Sequence, residues 1–360
     1  MKNFNNVKNI QFKLILDGYG CVNFDSPEQV YFLLKANIGG SQLTNGGKAL
    51  QNVLLTKKNF HQTEDGSYEY HVKVSAECLR HSIFKKTMAF QSPTAMNLPQ
   101  VLYRAIANPD LLLRGYVFTQ GSGKSSLKRK SPFYMTDAEE IGNWRKNISL
   151  DFHSRSGEKE SNNGKGSEDV KDTSIYNIEN IGAVKYQAEG GIDVQELRFI
   201  SADPLYDRMA IDVDGGVNEK IFIDELEKNM VNFKPEFKYY FMENSYTADE
   251  WAERGILLNN ESVDMLIKRA IKQILEINEI RRNAYLRTEK LIVIVNCENG
   301  ESHEVEMTLD NYNDFTFNCV NSYKESDDTK IYANKERIEV LKEISKQEKK
   351  SKSKDTKNNK

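Results

Sequence analysis

Apolar and polar residues alternate at the start of the chain. Val7, Ile10, Phe12, Leu14 and Leu16 stand among polar or branched neighbours with the two-residue period of a half-buried strand. The pattern ends at Asp17-Gly18-Tyr19-Gly20, where two glycines permit a sharp turn, and Cys21 to Phe24 resumes it as far as Asp25-Ser26-Pro27. Tyr68 to Val74 is a second strand, and Ser75 is placed to cap a helix over Ala76 to Phe84, with Cys78, Leu79, Ile83 and Phe84 inward and Arg80 and His81 outward. Leu111 to Phe118 and Asp193 to Ser201 read as strands. Glu261 to Arg282 is the clearest helix, its stripe of Val263, Leu266, Ile267, Ala270, Ile271, Ile274, Leu275 and Ile277 set behind an Asn260 cap. Leu291 to Val295 is the most buried-looking strand, and Glu298-Asn299-Gly300 makes a hairpin turn after it. The strong elements run strand, helix, strand, strand, helix, strand. This is the order of a ferredoxin-like or RNA-recognition sheet, so the fold class expected is α+β with long insertions.

The insertions outweigh the core. Residues 29 to 63 contain no carboxylate, hold Gly39-Gly40 and Asn45-Gly46-Gly47, and read as a projection with hairpin character. Ser154 to Thr173 has almost nothing to bury and reads as a mobile loop, flanked by Asp151 to His153 and Ile175 to Ile178 as the arms of a second projection. The core is expected at about 7–24, 75–119, 193–201 and 261–296 of a single domain over 1–340, with insertions at about 29–72 and 120–190. From Leu341 the chain ends in a polar tail with eight Lys against three acids, expected to be disordered.

Charge sharpens this picture. Residues 1 to 136 carry 17 Lys/Arg against 8 Asp/Glu, and residues 137 to 360 carry 33 against 45, so the first part is +9 and the rest −12. Between Cys78 and Thr136 the only carboxylate is Asp110, against nine basic residues. Such polarity suits a surface that binds a polyanion, although charges spread over a solvated surface would give the same count. The 360 residues, 39% hydrophobic and 29% charged, describe an ordinary soluble protein with no membrane-length apolar run and no signal-peptide core; a cytoplasmic location is expected. The four cysteines are far apart and read as reduced, packed thiols.

The basic stretch culminates at Leu111 to Thr136. Its loop, Thr119 to Ser126, includes Gly121, Lys124 and Ser125, followed by Leu127-Lys128-Arg129-Lys130-Ser131-Pro132. Glycine and serine let backbone N–H groups approach phosphate oxygens, and the cations supply charge. A P-loop is rejected because Phe118 stands where its first glycine belongs. The RNP1 signature of RNA-recognition sheets is met by Arg114, Gly115, Tyr116 and Phe118 but not by Val117. Alternate strand positions would put Arg114, Tyr116 and Phe118 on one face, ready to stack on unpaired bases or, equally, to pack into a core. The five histidines show no metal-ligand spacing, so no cofactor or metal is expected.

Six blocks in register resemble the Cas-seven-type backbone subunit of type I CRISPR Cascade complexes, a member of the RAMP superfamily, most closely its minimal type I-F variant. They are Gly18-Tyr19-Gly20-Cys21-Val22-Asn23, Cys78 to Phe84, Leu113 to Val117, Lys128 to Pro132, Gln195 to Ser201 with Asp207-Arg208, and Gly255 to Asn259. The resemblance implies a modified RNA-recognition palm with finger and thumb insertions. It also implies copies of the chain arranged head to tail along a CRISPR RNA, other Cascade subunits as companions, and a target DNA or RNA that pairs with the guide. Residues 29–72 and 147–181 are the candidate projections. On the matched positions, Gly18, Asn23, Arg80, His81, Arg114, Lys128, Arg129 and Ser131 would lie on the RNA backbone, with the Gly121 to Ser126 loop adjoining. A non-catalytic role is expected. Two alternatives stand beside it: a metal-dependent RNA endonuclease of the type III kind, for which Asp25 is the nearest analogue of the acidic residue, and a free-standing RNA-binding regulator.

Overall fold

The computed structural model describes residues 2–20, 22–25, 53–66, 68–85, 99–119, 126–142, 148–158, 171–204, 208–212, 216–243, 252–281, 284–326 and 339. Its organising element is the first strand, Lys2–Tyr19, which is hydrogen-bonded along both edges. Val184–Asp193 lies antiparallel on one side and Ala284–Cys297 on the other, so that Phe12 faces Gly190 and Val293. Ala138–Ile141, Tyr68–Val74 and Lys58–Gln62 extend the sheet beyond Val184–Asp193. Asn278–Arg281 and Ser302–Met307 extend it beyond Ala284–Cys297. Phe133–Met135 and Phe315–Cys319 complete a ten-stranded sheet, the last of these running parallel to Lys2–Val7.

The alternation seen in the sequence is the alternation of this sheet's two faces. Ile10, Phe12, Leu14 and Leu16 point to the helical side and are fully buried, while Gln11 and Lys13 between them are exposed. Against the buried face pack the helices Ala76–Phe84 and Asn260–Leu275, the latter contributing Val263, Leu266, Ile267, Ala270, Ile271 and Ile274. Phe12 stacks on Phe133 at 5.5 Å, and Phe84 meets Phe133 edge-on at 5.3 Å. The Phe12 ring fits only because Gly190 lies opposite: a Cβ there would collide with that ring and sit 2.5 Å from the Tyr134 carbonyl oxygen.

Three of the predicted elements differ, each for a local reason. Leu111–Leu113 is helix rather than strand, within Pro109–Arg114. Asn108 caps it by accepting from the Asp110 N–H, Pro109 supplies its first turn, and Gly115 ends it with φ 72°. All three leucines are buried, and that is why the segment mimics a buried strand in sequence. Val194–Arg198 is likewise a short helix, capped by the Asp193 carboxylate on the N–H groups of Gln195 and Glu196, so only Phe199–Ser201 is strand. The long helix starts from an Asn259 cap and stops at Leu275, because residues 278–281 leave to join the sheet. The expected hairpin turn at Glu298 to Gly300 and the Ser75 cap are both present.

A second, four-stranded antiparallel sheet follows the order Phe199–Ser201, Glu253–Leu257, Lys238–Met242, Tyr323–Glu325. The helices Pro99–Ile106 and Val217–Asn229, absent from the pattern read above, bury Leu102, Ile106, Phe222 and Leu226. Residues expected to form a loop at Ser154 to Thr173 are partly strand: Ile148–Glu158 pairs with Lys171–Ile181 over eleven residues, Asp151 facing Ile178 and His153 facing Tyr176. At ~3.3 Å per residue that hairpin is roughly 36 Å long. Its second strand continues through Val53–Thr56 to Phe24–Asp25. Most of the 29–63 insertion and the tail from Leu341 lie outside the described residues.

Replacing Gly190 by Ala should destabilise the fold by about 2–4 kcal/mol, as overpacking against Phe12 and a backbone carbonyl demands. Urea denaturation checks this: the midpoint should fall with the slope unchanged.

Candidate nucleic-acid interface

The basic stretch folds into a helix, a glycine and a hairpin. After Pro109–Arg114, Gly115 sits so close to the returning chain that a Cβ would lie 2.6 Å from the Arg129 carbonyl oxygen and 2.7 Å from the Ser131 nitrogen. The strands Tyr116–Phe118 and Leu127–Arg129 then pair antiparallel, with Tyr116 opposite Arg129. Gly121, Lys124 and Ser125 belong to the connection between them and lie outside the described residues.

Two residues expected on RNA face inward instead. Arg129 is buried, and its guanidinium is engaged by four carbonyl oxygens: Nε donates to Leu112 at 2.9 Å, Nη1 to Phe199 at 2.8 Å, and Nη2 to Glu196 and Leu197 at 3.2 and 3.1 Å. Leu112, Glu196 and Leu197 stand at the C-terminal ends of two short helices, where carbonyls lack intrahelical donors and a positive charge is favoured. Burial lowers the pKa of this group, with Tyr116 and Glu196 opposing the shift. Tyr116 is buried beside Phe118 and donates its hydroxyl to the Ala210 carbonyl at 2.9 Å; burial raises its pKa. Its ring is therefore core, and the stacking face imagined for Arg114, Tyr116 and Phe118 does not form there.

Other expected residues converge. Arg80 Nη2 donates to the Arg114 carbonyl at 2.6 Å and to Ser131 Oγ at 3.1 Å, which brings three of them to one point. Arg80 is half-buried rather than outward, its Nε makes no hydrogen bond, and burial lowers its pKa. Arg114 is lowered too, first by burial and then by the neighbouring Arg80 charge. Two cations so placed favour an anion between or beside them. Lys128 is half-buried, Lys130 and His81 are exposed. Asp110, the one carboxylate of the stretch, is fully buried and held by Arg269 and Gln273 of the long helix, while Lys130 lies 3.5 Å from Glu196.

Gly18 is an ordinary strand residue between Val184 and Leu286, with the Tyr186 ring against it. Asn23 donates to Ser75 Oγ at 2.9 Å, bracing the cap of the Ala76–Phe84 helix. The start of that helix is a natural anion seat, but the protein fills it: Asp137 accepts from the Ala76 N–H at 2.8 Å and from Lys73 Nζ at 2.8 Å. No sequence motif points to Asp137, which lies 61 residues from its helix partner. Burial alone would raise its pKa, but the Lys73 and Ala76 hydrogen bonds outweigh that and hold it below the ordinary carboxylate range. Asp25 lies in a strand opposite Leu55 rather than in a turn. Among the described residues no group of three or more His, Cys, Asp or Glu is arranged to hold a metal.

The architecture is that of a mixed α/β protein built on one large, mostly antiparallel sheet, with a basic, carboxylate-poor hairpin on a short helix at its side. The family model described as type I-Fv CRISPR-associated protein Cas7fv-like matches residues 6–317, and the chain belongs to that family. No curated protein sequence matches it. Among solved structures, a chain of a "CRISPR RNA-guided surveillance complex, pre-nicking" is similar at 8% identity and a TM-score of 0.34, covering 81% of this chain and 77% of that one. A chain of a "CRISPR RNA-guided surveillance complex" is similar at 10% identity and a TM-score of 0.23, covering 69% and 66%. No helix among the described residues is long and apolar enough to cross a membrane.

Arg129→Ala should cost at least about 3 kcal/mol in chemical denaturation, since it strands several buried carbonyls at once, and Arg129→Lys should recover only a part. Asp137 has its pKa depressed on folding, so its stabilisation is complete above the unfolded-state value and is lost as pH falls below about 4. Asp137→Asn should accordingly lower stability at neutral pH and flatten the acid limb of a stability–pH profile measured by thermal melting.

Proposed function

We propose that this chain is a non-catalytic, CRISPR RNA-binding backbone subunit of a Cascade complex, several copies of which line up head to tail on one guide and hold it for pairing with target DNA or RNA. The observation that carries this reading is the Arg80 guanidinium, which donates to the Arg114 carbonyl and to Ser131 Oγ while its charge acts on Arg114, on a stretch that also bears Lys128 and Lys130 and whose sole carboxylate is held by Arg269. Sugar–phosphate backbone is the ligand such a surface suits, because its cations and hydroxyl match phosphate oxygens. Membership of a CRISPR-associated family supports the guide RNA as the polyanion.

The order of the central strands supports a palm of the RNA-recognition kind. Ala284–Cys297, Lys2–Tyr19, Val184–Asp193 and Ala138–Ile141 follow one another, all antiparallel, with two helices on one face. The Ile148 to Ile181 hairpin supports a projecting thumb-like insertion, long enough to reach a neighbouring copy. Within this reading Arg80, Arg114, Lys128, Lys130 and Ser131 face the phosphates, and Arg129 and Tyr116 hold the hairpin in place.

Co-expression with a CRISPR repeat–spacer transcript, followed by absolute mass determination and measurement of the bound RNA, tests the reading. Particles with several copies on one guide are expected; a monomer without RNA would overturn it. Lys128→Ala with Lys130→Ala should weaken binding to RNAs of any sequence and reduce the slope of log K against log salt by about 0.7 per lost phosphate contact.

A further inference from the structure

The face of the large sheet turned away from the helices carries an aromatic row that the basic hairpin does not use. Tyr19, Tyr285 and Ile280 stand directly opposite one another on three adjacent strands. Tyr19 and Ile280 are 46% and 72% exposed, uncommon for side chains of this size unless something covers them. The two tyrosine rings lie 6.2 Å apart and within 17° of parallel, and the Arg287 guanidinium sits 5.3 Å from the centre of the Tyr285 ring. Arg287 is tied to Asp17, its Nε donating to Oδ2 at 2.9 Å, and Lys185 is paired with Glu289. The row is therefore flat, aromatic and locally neutral in charge. A neutral shelf of this kind is suited to the faces of bases, not to phosphates.

We propose that Tyr19 and Tyr285, steadied by Arg287, form a stacking shelf for an unpaired base of single-stranded nucleic acid. The proposal rests on the RNA-binding reading above and adds to it a second site with a different chemistry. The two surfaces are physically linked: Tyr19 ends the first strand, Gly20 turns the chain with φ 69°, and Asn23 bonds Ser75 at the cap of the helix that carries Arg80. The base can come from RNA or from single-stranded DNA, since stacking does not read the sugar.

The test titrates the full chain with short polyadenylate RNA and with polyadenylate DNA, each carrying one fluorescent adenine analogue whose emission reports stacking. Tyr19→Leu and Tyr285→Leu should each lower affinity roughly five- to a hundredfold with no change in salt slope, and abolish the stacking signal. Tyr19→Phe and Tyr285→Phe should retain both. If the wild-type chain binds RNA but the Leu variants bind equally well with the signal intact, the shelf is overturned and the RNA-binding reading stands. Tyrosine-dependent binding of DNA alone keeps the shelf, names DNA as its ligand, and removes the RNA reading. Failure of the wild-type chain to bind either strand overturns both.

Discussion

One buried guanidinium ties together two short helices, the second sheet and the basic hairpin. Arg129 gathers carbonyl oxygens from the Pro109–Arg114 helix, from the Val194–Arg198 helix and from the first residue of the second sheet. A lysine could satisfy fewer of these acceptors, because only the planar, five-donor fork reaches in several directions at once. The consequence is mechanical. The hairpin bearing Lys128 and Lys130 is anchored to the core at the residue between them, so its cations are presented from a rigid base.

The same logic runs through the surrounding polar groups. Asp110 is neutralised by Arg269, the Ala76–Phe84 helix start is filled by Asp137, and Ser75 is braced by Asn23. Each arrangement satisfies a buried or terminal group that would otherwise be costly. Together they withdraw negative charge from the basic face and leave Arg80 and Arg114 side by side. The open face of the sheet is arranged differently. There, charged residues are paired with one another and aromatic rings provide the contact surface. The molecule therefore carries two kinds of surface, one cationic and one aromatic, and the proposed roles assign them to the phosphates and to the bases of a single-stranded polynucleotide.

Much of the fold was legible in the chain itself. The two-residue period of Val7 to Leu16, the Ser75 cap and the apolar stripe from Val263 to Ile274 are local signals, each set by backbone geometry and by which side faces water. The charge asymmetry and the near absence of carboxylates between Cys78 and Thr136 were equally plain. Less legible were elements whose signals point two ways. Leu111–Leu113 is buried on every side, so periodicity cannot separate helix from strand there, and Asn108, Pro109 and Gly115 were the better guides. The Ser154 to Thr173 stretch reads as loop by composition, yet part of it is held as strand by cross-strand pairing.

Residue type and spacing by themselves determined that this protein has an α+β core, a basic first part and a lysine- and arginine-bearing, glycine-containing stretch suited to phosphate. Only the tertiary structure decided which cations face out. Lys128, Arg129 and Lys130 are indistinguishable as a run of three, and their roles separate because strand geometry alternates sides and the interior side meets four carbonyl oxygens. Tyr116 and Tyr19 diverge for the same reason. Both are strand tyrosines, but one points toward the Ala210 carbonyl in the core and the other across to Tyr285 on an open face. Burial is a property of what lies opposite in space, and partners 94 and 266 residues away along the chain are not written in any local pattern.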